Sequence, residues 1–367
     1  MPTLTSILLV VAVLAAVLGV VFWLLAGWFS KGEDLTVFDH PPEPGASEVF
    51  GSPDGPSAEH RQAENEIRSA GGQVRGMSRA QMLQFMRDFM ESIPAGRTFD
   101  CEFRPVAADG VAGEWVLAPG ADPARRVLYI HGGAFIAGSP NSHRTITSRF
   151  STVARAAVFA VDYRLMPENR RRDGILDCQA AYRWLLENGP DGQDRPRWLY
   201  LGGDSAGGNL SLVLAAWARD EGLRIPDGVV ALSPLTDSTY SGPSIPGNLA
   251  TDTMLGPLFG ALLKVPRPIL AWIFFLQNRF RPVDPLVSPL RGDLSRLPPT
   301  LLQASASEML LDDARRYVNK ARAAGSPARL QVWPGLLHVW QVLNPEVPEA
   351  VEAFDRIGDF IRAVEAA

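Results

Sequence analysis

Cysteine is scarce in this chain, and positive charge is not concentrated anywhere in it. Only Cys101 and Cys178 occur among 367 residues, so a disulfide framework or a cysteine-rich metal site is excluded. One disulfide is the alternative to the two free thiols that we expect. The net charge is −5 with no basic stripe, which argues against a nucleic acid partner. There is no low-complexity tract, and 46% hydrophobic and 20% charged residues are typical of a globular protein. The length allows one large α/β domain or two smaller domains.

Charge is missing altogether from residues 7–29. A helix of this length spans roughly 35 Å, enough to cross a bilayer core. A cleaved signal peptide is the alternative, but it requires a basic segment before a shorter apolar run. Trp23 and Trp28 suit the interface at the far end. We therefore predict a single-pass anchor within residues 1–30, and Lys31 on its C-terminal side favours a cytoplasmic location for the rest of the chain.

The next two stretches differ in composition. Residues 31–57 are rich in proline, glycine and acids, which predicts a linker. Residues 58–95 have a helical pattern with an apolar stripe formed by Met82, Phe85, Met86, Phe89, Met90 and Ile93. Such a stripe is typical of ordinary packing, and the functional alternative is a deformable lid over an apolar ligand.

Short apolar strands alternate with helices after about residue 98. This alternation predicts an α/β fold with a mostly parallel central sheet and helices on both faces. Residues 238–285 interrupt it and are long enough to be functional, as a lid is. Their apolar segment, 266–276, is too short to span a bilayer. It could be a packed helix, a lid face, or a surface that dips into the membrane.

One pentapeptide has the pattern G-x-S-x-G, from Gly203 to Gly207, with Ser205 at its centre. An apolar strand precedes it and a helical run follows, which is the setting of a strand-to-helix elbow that presents a serine above a parallel sheet. The glycines are needed because backbone segments nearly touch at those two positions. We predict that Ser205 is a nucleophile.

A serine hydroxyl needs a base to accept its proton and a carboxylate to orient that base. In elbow folds the chain order is serine, acid, histidine. Of five histidines only His338 follows Ser205, so His338 is predicted to be the base. Glu308 follows a late strand and is the preferred acid. The other candidates are Asp312 and Asp313, which are better placed to stabilise a helix start, and Asp284.

Backbone N–H groups must stabilise the oxyanion that forms during acyl transfer. One should come from the residue after the nucleophile, Ala206, and others from the loop after an earlier strand. The sequence His131-Gly132-Gly133 stands where that loop should be. We predict an oxyanion hole formed by Gly132, Gly133 and Ala206, with His131 in a structural role.

These motifs resemble the hormone-sensitive-lipase-like group of α/β-hydrolases, bacterial carboxylesterases with an H-G-G-G loop and a G-D-S-A-G-G elbow. The resemblance covers roughly residues 95 to 365. Its motifs are His131-Gly132-Gly133, residues 162–168 (D-Y-R-L-M-P-E), residues 203–209 (G-D-S-A-G-G-N), residues 284–289 (D-P-L-V-S-P), and residues 308–313. Ala134 departs from the family by replacing the third glycine, and the residue matching Glu308 is most often aspartate there.

The resemblance implies an α/β-hydrolase domain over residues 58–367, with a lid from residues 58–95 and 238–285. It implies a serine carboxylesterase acting on short to medium acyl esters through an acyl-enzyme, with no cofactor or metal. The expected partner is a small-molecule ester or a lipid. A lipid-directed lipase, or an amidase or lactonase with the same triad, is the alternative. A non-catalytic ligand receptor is disfavoured because the triad is complete. A partner-binding protein is disfavoured because residues 31–57 have no long charge block or recognisable docking motif.

Overall fold

The computed structural model describes residues 3–73 and 76–367, and within them it has eleven helices and eleven strands. The helices are α1 (Leu4–Ser30), α2 (Ala58–Gln73), α3 (Arg79–Ser92), α4 (Arg144–Ala154), α5 (Arg171–Leu185), α6 (Ala206–Asp220), α7 (Ser244–Gly247), α8 (Leu255–Phe259), α9 (Arg267–Asn278), α10 (Leu311–Ala323) and α11 (Pro348–Glu365). The strands are β1 (Ser47–Val49), β2 (Glu102–Ala108), β3 (Val111–Leu117), β4 (Asp122–Ile130), β5 (Ala156–Val161), β6 (Asn188–Gly189), β7 (Gly192–Gln193), β8 (Trp198–Asp204), β9 (Gly228–Leu232), β10 (Thr300–Ser305) and β11 (Ala328–Trp333). Short 3₁₀ turns cover Thr36–Phe38, Asn141–His143, Leu262–Lys264, Pro289–Arg291 and Trp340–Leu343.

Nine strands form one sheet in the order β1-β11-β10-β9-β8-β4-β5-β3-β2, as far as the described residues show. Strand β3 pairs antiparallel with β2 and β5, and the remaining pairs are parallel. The predicted mostly parallel α/β fold is therefore confirmed. The chain runs from β4 to β5 on one side and then returns to add β8 on the other. This reversal creates a crevice at the carboxyl ends of β4 and β8.

Successive strand residues point to opposite faces of the sheet, and both sets are apolar here. Helices therefore cover both faces. On β4, Leu128 and Ile130 join the apolar cluster with α5, α6 and α10. The alternate residues Val127 and Tyr129 join the cluster with α4 and α11. These strands are buried on both faces, and the loops at their carboxyl ends are therefore firmly positioned.

The predicted linker, residues 31–57, is packed on the domain over part of its length. Ser47–Val49 forms strand β1, which extends the sheet in parallel beside β11. Leu35 and Ala46 are buried in the core cluster of the α/β domain. Asp39 forms an ion pair with Arg316 of α10. A three-residue strand flanked by proline and glycine leaves no apolar period in the sequence, which is why composition indicated a linker here.

The helical stretch predicted over residues 58–95 is two helices, α2 and α3. The apolar stripe of α3 is half-buried, since none of its side chains is fully enclosed. The apolar run at 266–276 consists of the N-cap residue Pro266 and most of α9, and α9 packs against α1. Helix α1 is long and apolar enough to cross a membrane. Cys101 and Cys178 are both free thiols, as predicted.

Candidate active site

Ser205 lies in the sharp turn between β8 and α6, with φ of 51° and ψ of −113°. A non-glycine residue in this region stores roughly 1–3 kcal/mol of backbone strain. A Cβ atom on Gly207 would lie 1.9 Å from the Ile130 carbonyl oxygen, and one on Gly203 would lie 2.5 Å from the Gly207 carbonyl oxygen. Both glycines are therefore required by close backbone approach, as the pattern suggested.

Three side chains from distant parts of the chain form a hydrogen-bonded series at this turn. Glu308 Oε2 lies 2.7 Å from His338 Nδ1, and His338 Nε2 lies 2.9 Å from Ser205 Oγ. A carboxylate can only accept, so Nδ1 carries a proton and Nε2 is left to accept from the serine. Glu308 follows β10 and His338 follows β11, which brings both loops to the crevice beside Ser205.

The alternative acids lie elsewhere. Asp312 Oδ2 accepts from the Ser244 N–H at 2.6 Å. Asp313 Oδ2 accepts from the N–H groups of Thr236 and Asp237. Asp284 Oδ1 accepts from the Leu286 N–H at 2.9 Å. Among the sequence candidates, the structure therefore places Glu308 against the histidine.

Burial and charge act on the histidine in opposite directions. Burial alone would lower the pKa of His338, but the hydrogen bond and charge of Glu308 outweigh it and raise that pKa above its ordinary value of 6.5. Burial raises the pKa of the Glu308 carboxyl, and the hydrogen bond from His338 opposes that shift. The pair is enclosed, with Glu308 fully buried and His338 4% exposed. Such a base is oriented and shielded from bulk water.

The predicted oxyanion donors need one correction. The Gly132 N–H donates to Asp204 Oδ1 at 3.1 Å, so it is already engaged and does not point to a substrate. Within the described part of the chain, no hydrogen bond uses the N–H groups of Gly133, Ala134 or Ala206. Ala134 has φ of 54° and lines the cavity above the serine.

Asp204, the residue before the serine, positions this loop from inside the sheet. Its Oδ1 atom also accepts from Tyr129 Oη at 2.6 Å, and its Oδ2 atom lies 3.4 Å from His143 Nε2. Burial would raise the pKa of Asp204, but its interactions with His143 and Tyr129 outweigh burial and lower it. His131 has the structural role predicted for it: its Nδ1 atom bonds the Gly132 carbonyl, and burial lowers its pKa to about 3.

Two residues that the sequence did not single out support the catalytic loops. His60 of α2 is fully buried, and its Nε2 atom accepts from the Leu337 N–H at 2.9 Å, next to His338. Asp252, in the segment between β9 and β10, accepts from the Met309 N–H at 2.9 Å, next to Glu308. No sequence motif indicates His60 or Asp252, because both residues bond backbone N–H groups of other loops.

A cavity of about 1330 Å³ opens above Ser205. Helix α3 contributes Met82 and Met86 to its wall, and the segment between β9 and β10 contributes further apolar side chains, among them Phe259 and Phe274. The cavity is larger than that of a typical ligand pocket, which is roughly 300–1,000 Å³. An apolar chain attached to a carbonyl at Ser205 has room here.

Comparison with known proteins gives a consistent result. A family model described as "alpha/beta hydrolase fold" matches residues 127–342. "Carboxylesterase/phospholipase LipF" of Mycobacterium tuberculosis is 42% identical over 258 residues, which are 68% of this chain and 66% of that protein. "Acetyl-hydrolase" of Streptomyces hygroscopicus is 38% identical over 250 residues, covering 68% of this chain and 79% of that protein.

Solved structures agree with these relatives. An esterase/lipase from an uncultured bacterium superposes with a TM-score of 0.72 at 32% identity, covering 85% of this chain and all of that one. An esterase from the bacterial hormone-sensitive lipase family superposes with a TM-score of 0.71 at 35% identity, covering 84% of this chain and 98% of that one. The similarity extends over sheet, helices and elbow together.

Proposed function

The chain belongs to the hormone-sensitive-lipase-like carboxylesterases of the α/β-hydrolase fold, and from that premise we propose that it hydrolyses carboxylic esters with Ser205, His338 and Glu308 as its catalytic triad. The observation that carries the proposal is the continuous series from Glu308 through His338 to Ser205, with distances of 2.7 and 2.9 Å. Nucleophile and base within hydrogen-bond reach, with the base oriented by a third group, are the geometric requirement for this chemistry.

In the proposed first step, Ser205 Oγ attacks the ester carbonyl carbon while His338 Nε2 takes the hydroxyl proton. The carbonyl oxygen becomes an oxyanion, and the N–H groups of Gly133, Ala134 and Ala206 are the donors we assign to it. When the tetrahedral intermediate collapses, the ester C–O bond breaks and His338 gives its proton to the leaving alcohol. Glu308 stabilises the imidazolium formed between these transfers. Each oxyanion donor contributes about 2.7–4 kcal/mol in well-studied hydrolases.

Water completes the cycle. It attacks the acyl-enzyme carbonyl, His338 takes one of its protons, and the second tetrahedral intermediate releases a carboxylic acid as Ser205 recovers its proton. The described residues supply every group that these steps use. Amide or lactone hydrolysis would use the same groups, and the relatives named as esterases favour the ester.

We assign the apolar cavity to the acyl chain and propose short to medium acyl esters as substrates. Helix α3 and residues 238–285, which cover the cavity, form the proposed lid. We further propose that α1 is a retained membrane anchor, because its apolar side chains are exposed along its length. A helix of 27 residues is about 40 Å long, more than a bilayer core requires.

The test is a series of p-nitrophenyl esters with acyl chains from two to sixteen carbons, assayed on the full chain in detergent. We expect Ser205→Ala to lower kcat by about 10⁴-fold or more, since removing a nucleophile leaves only binding and oxyanion stabilisation. Ser92→Ala, at an exposed helix end, is the matched control and should retain full activity. Full activity in a folded Ser205→Ala variant would overturn the triad, and cleavage of matched amides alone would make the protein an amidase.

A further inference from the structure

The segment around α9 has a charge pattern unlike the rest of the chain. Residues 253–283 contain no aspartate or glutamate, although the protein as a whole has 40 acids and a net charge of −5. The segment has four basic residues near the two ends of α9: Lys264 before it, Arg267 as its first residue, and Arg279 and Arg281 after it. An apolar helix with basic ends is the composition of a helix that lies in an anionic membrane interface.

Helix α9 packs directly on α1 through aromatic side chains. Trp272 stacks on Phe22 with ring centroids 5.4 Å apart, and Phe275 stacks on Phe29 at 4.4 Å. The Trp272 Nε1–H also donates to the Phe22 carbonyl oxygen at 3.1 Å. Phe22 and Phe29 belong to the C-terminal third of the apolar helix. If α1 crosses a membrane, α9 must therefore lie at the edge of that membrane.

The end of α1 is attached to the hydrolase domain without a free tether. Arg281 donates to the carbonyl oxygens of Trp28 and Lys31 at 2.7 and 2.9 Å, and its guanidinium lies 4.3 Å from the centre of a Trp28 ring. Arg291 donates to the Glu33 carbonyl oxygen at 3.2 Å. These contacts fix the direction in which α1 leaves the domain. If α1 crosses a membrane, the face of the domain that carries α9 is turned to it.

The outward side of this face is apolar where a water-facing surface would be polar. Ile269 is 41% exposed, and Leu276, which also borders the cavity, is 54% exposed. Lys264, just before α9, is exposed as well. A basic side chain near an anionic surface contributes about 1 kcal/mol of attraction. The face therefore has an apolar surface with basic residues beside it. The apolar surface suits the acyl chains of a bilayer, and the basic residues suit its anionic headgroups.

The inward side of α9 is a wall of the catalytic cavity. Leu270, Ile273 and Phe274 line that cavity, which extends from Ser205 to Ser30 at the end of α1. One helix thus contacts the apolar anchor helix on one side and the space above the nucleophile on another. An acyl chain that leaves the bilayer beside α1 would meet this cavity directly.

We propose that α9 and its basic flanks are a second membrane-binding element, seated in the headgroup region of an anionic bilayer beside α1, and that the site takes acyl esters from that bilayer. Uptake from the bilayer would add amphiphilic esters with longer acyl chains to the short and medium acyl esters proposed above. This inference rests on the proposed ester hydrolysis for its substrate, but the membrane contact of α9 stands apart from it.

The functional test compares two substrates on the full chain reconstituted in vesicles of phosphatidylglycerol and phosphatidylcholine. One is water-soluble p-nitrophenyl butyrate, and the other is 4-methylumbelliferyl oleate dissolved in the bilayer. We expect Ile269→Asp and Lys264→Glu, neither of which lines the cavity, to lower the rate on the bilayer ester about 5- to 10-fold. The rate on the soluble ester should stay within about twofold. Ile225→Asp and Arg329→Glu are matched controls, since Ile225 is 39% exposed and Arg329 is exposed elsewhere.

An equal loss on both substrates, or no loss on either, would overturn the proposal. The charge contribution has its own check. Replacing phosphatidylglycerol with phosphatidylcholine should slow bilayer hydrolysis by the wild type, and should slow Lys264→Glu less because only three of the four basic residues remain. If neither responds to lipid charge, the basic flanks do not bind headgroups.

A direct measurement separates this proposal from ester hydrolysis itself. A fluorophore attached at Ile269→Cys should be quenched by doxyl-labelled lipids in the vesicles, and one at Ile225→Cys should not. Quenching without any turnover would keep the membrane contact and overturn the proposed function. Turnover of the soluble ester without quenching would keep the proposed ester hydrolysis and overturn the membrane contact of α9. A label shielded from lipid in a dimeric protein would show that a second copy covers α9 instead.

Discussion

The proposed catalytic triad and the contact between α1 and α9 join distant parts of the chain in opposite ways. The triad joins three loops through two hydrogen bonds whose donors and acceptors must match, from Glu308 to His338 and on to Ser205. The α1–α9 contact is made mostly of stacked and edge-on aromatic rings, with one side-chain hydrogen bond from Trp272. The first arrangement depends on chemical identity and the second on shape and apolar area.

This difference decides what each region leaves in the sequence. A hydrogen-bonded catalytic group cannot be exchanged without losing its chemistry, and a strained elbow cannot tolerate a Cβ at its glycines. Aromatic contacts have several equivalent solutions, since rings at centroid distances of about 4.5–7 Å pack favourably in many orientations. The triad should therefore be sensitive to single-atom changes, and the α1–α9 contact should be sensitive only to changes of size or charge.

The sharpest test on the triad side is Glu308→Gln, which keeps the size and removes the charge. We expect kcat on p-nitrophenyl butyrate to fall by about 10³- to 10⁴-fold, because an amide does not stabilise the imidazolium and does not fix its tautomer. Asp312→Asn is the matched control, and it should change kcat by less than about threefold because Asp312 bonds Ser244 instead. A larger loss of kcat in Asp312→Asn than in Glu308→Gln would assign the catalytic acid to Asp312 instead.

The same variant has a pH signature. The base must be neutral to accept the serine proton, and Glu308 raises the pKa of His338 above 6.5. Wild-type activity should therefore decrease as the pH falls through this raised pKa. Without the carboxylate, burial remains and lowers that pKa, so the acid limb of kcat/KM should move to lower pH. A limb that does not move would show that Glu308 does not set the protonation of the base.

A smaller effect is expected from His60, which supports the triad through the backbone of Leu337. Burial lowers the pKa of His60, the nearby Glu349 carboxylate opposes that shift, and the neutral ring accepts the Leu337 N–H. His60→Leu removes the acceptor and should lower kcat about 10-fold, with KM changed less than twofold. His60→Gln can still accept and should recover most of the loss. A KM effect, or equal loss in both variants, would show that His60 only contributes packing.

Residues with an obligatory chemical identity could be predicted from the sequence. The alternation of apolar strands and helices predicted the parallel sheet, which is confirmed. The proposed triad of Ser205, Glu308 and His338 follows from the elbow pattern, from chain order and from the scarcity of histidine. The edge strand Ser47–Val49 could not be predicted because three residues show no period. His60 and Asp252 could not be predicted because their partners are backbone N–H groups, which every residue but proline offers.

The error at Gly132 has a different origin. The motif indicates the loop to which we assign the oxyanion donors, but the Gly132 N–H of that loop donates to the Asp204 side chain of β8. The sequence likewise does not decide the role of α9, because its composition suits a packed helix, a lid face and a membrane surface. Only the tertiary arrangement shows that it contacts α1 on one side and the cavity on another.

The smallest expected effect is at Ala134, where the chain departs from glycine although φ is 54°. An L-residue in the left-handed region costs roughly 1–2 kcal/mol, and the lower backbone entropy of alanine in the unfolded chain offsets part of that cost. Ala134→Gly should therefore raise the free energy of unfolding by no more than about 1 kcal/mol, measured by thermal denaturation in detergent, and change kcat/KM less than threefold. The donor we assign here is a backbone N–H, which the substitution keeps. An activity loss above 10-fold without destabilisation would show that the alanine Cβ restricts this loop for catalysis, and that chemical identity matters here as it does in the triad.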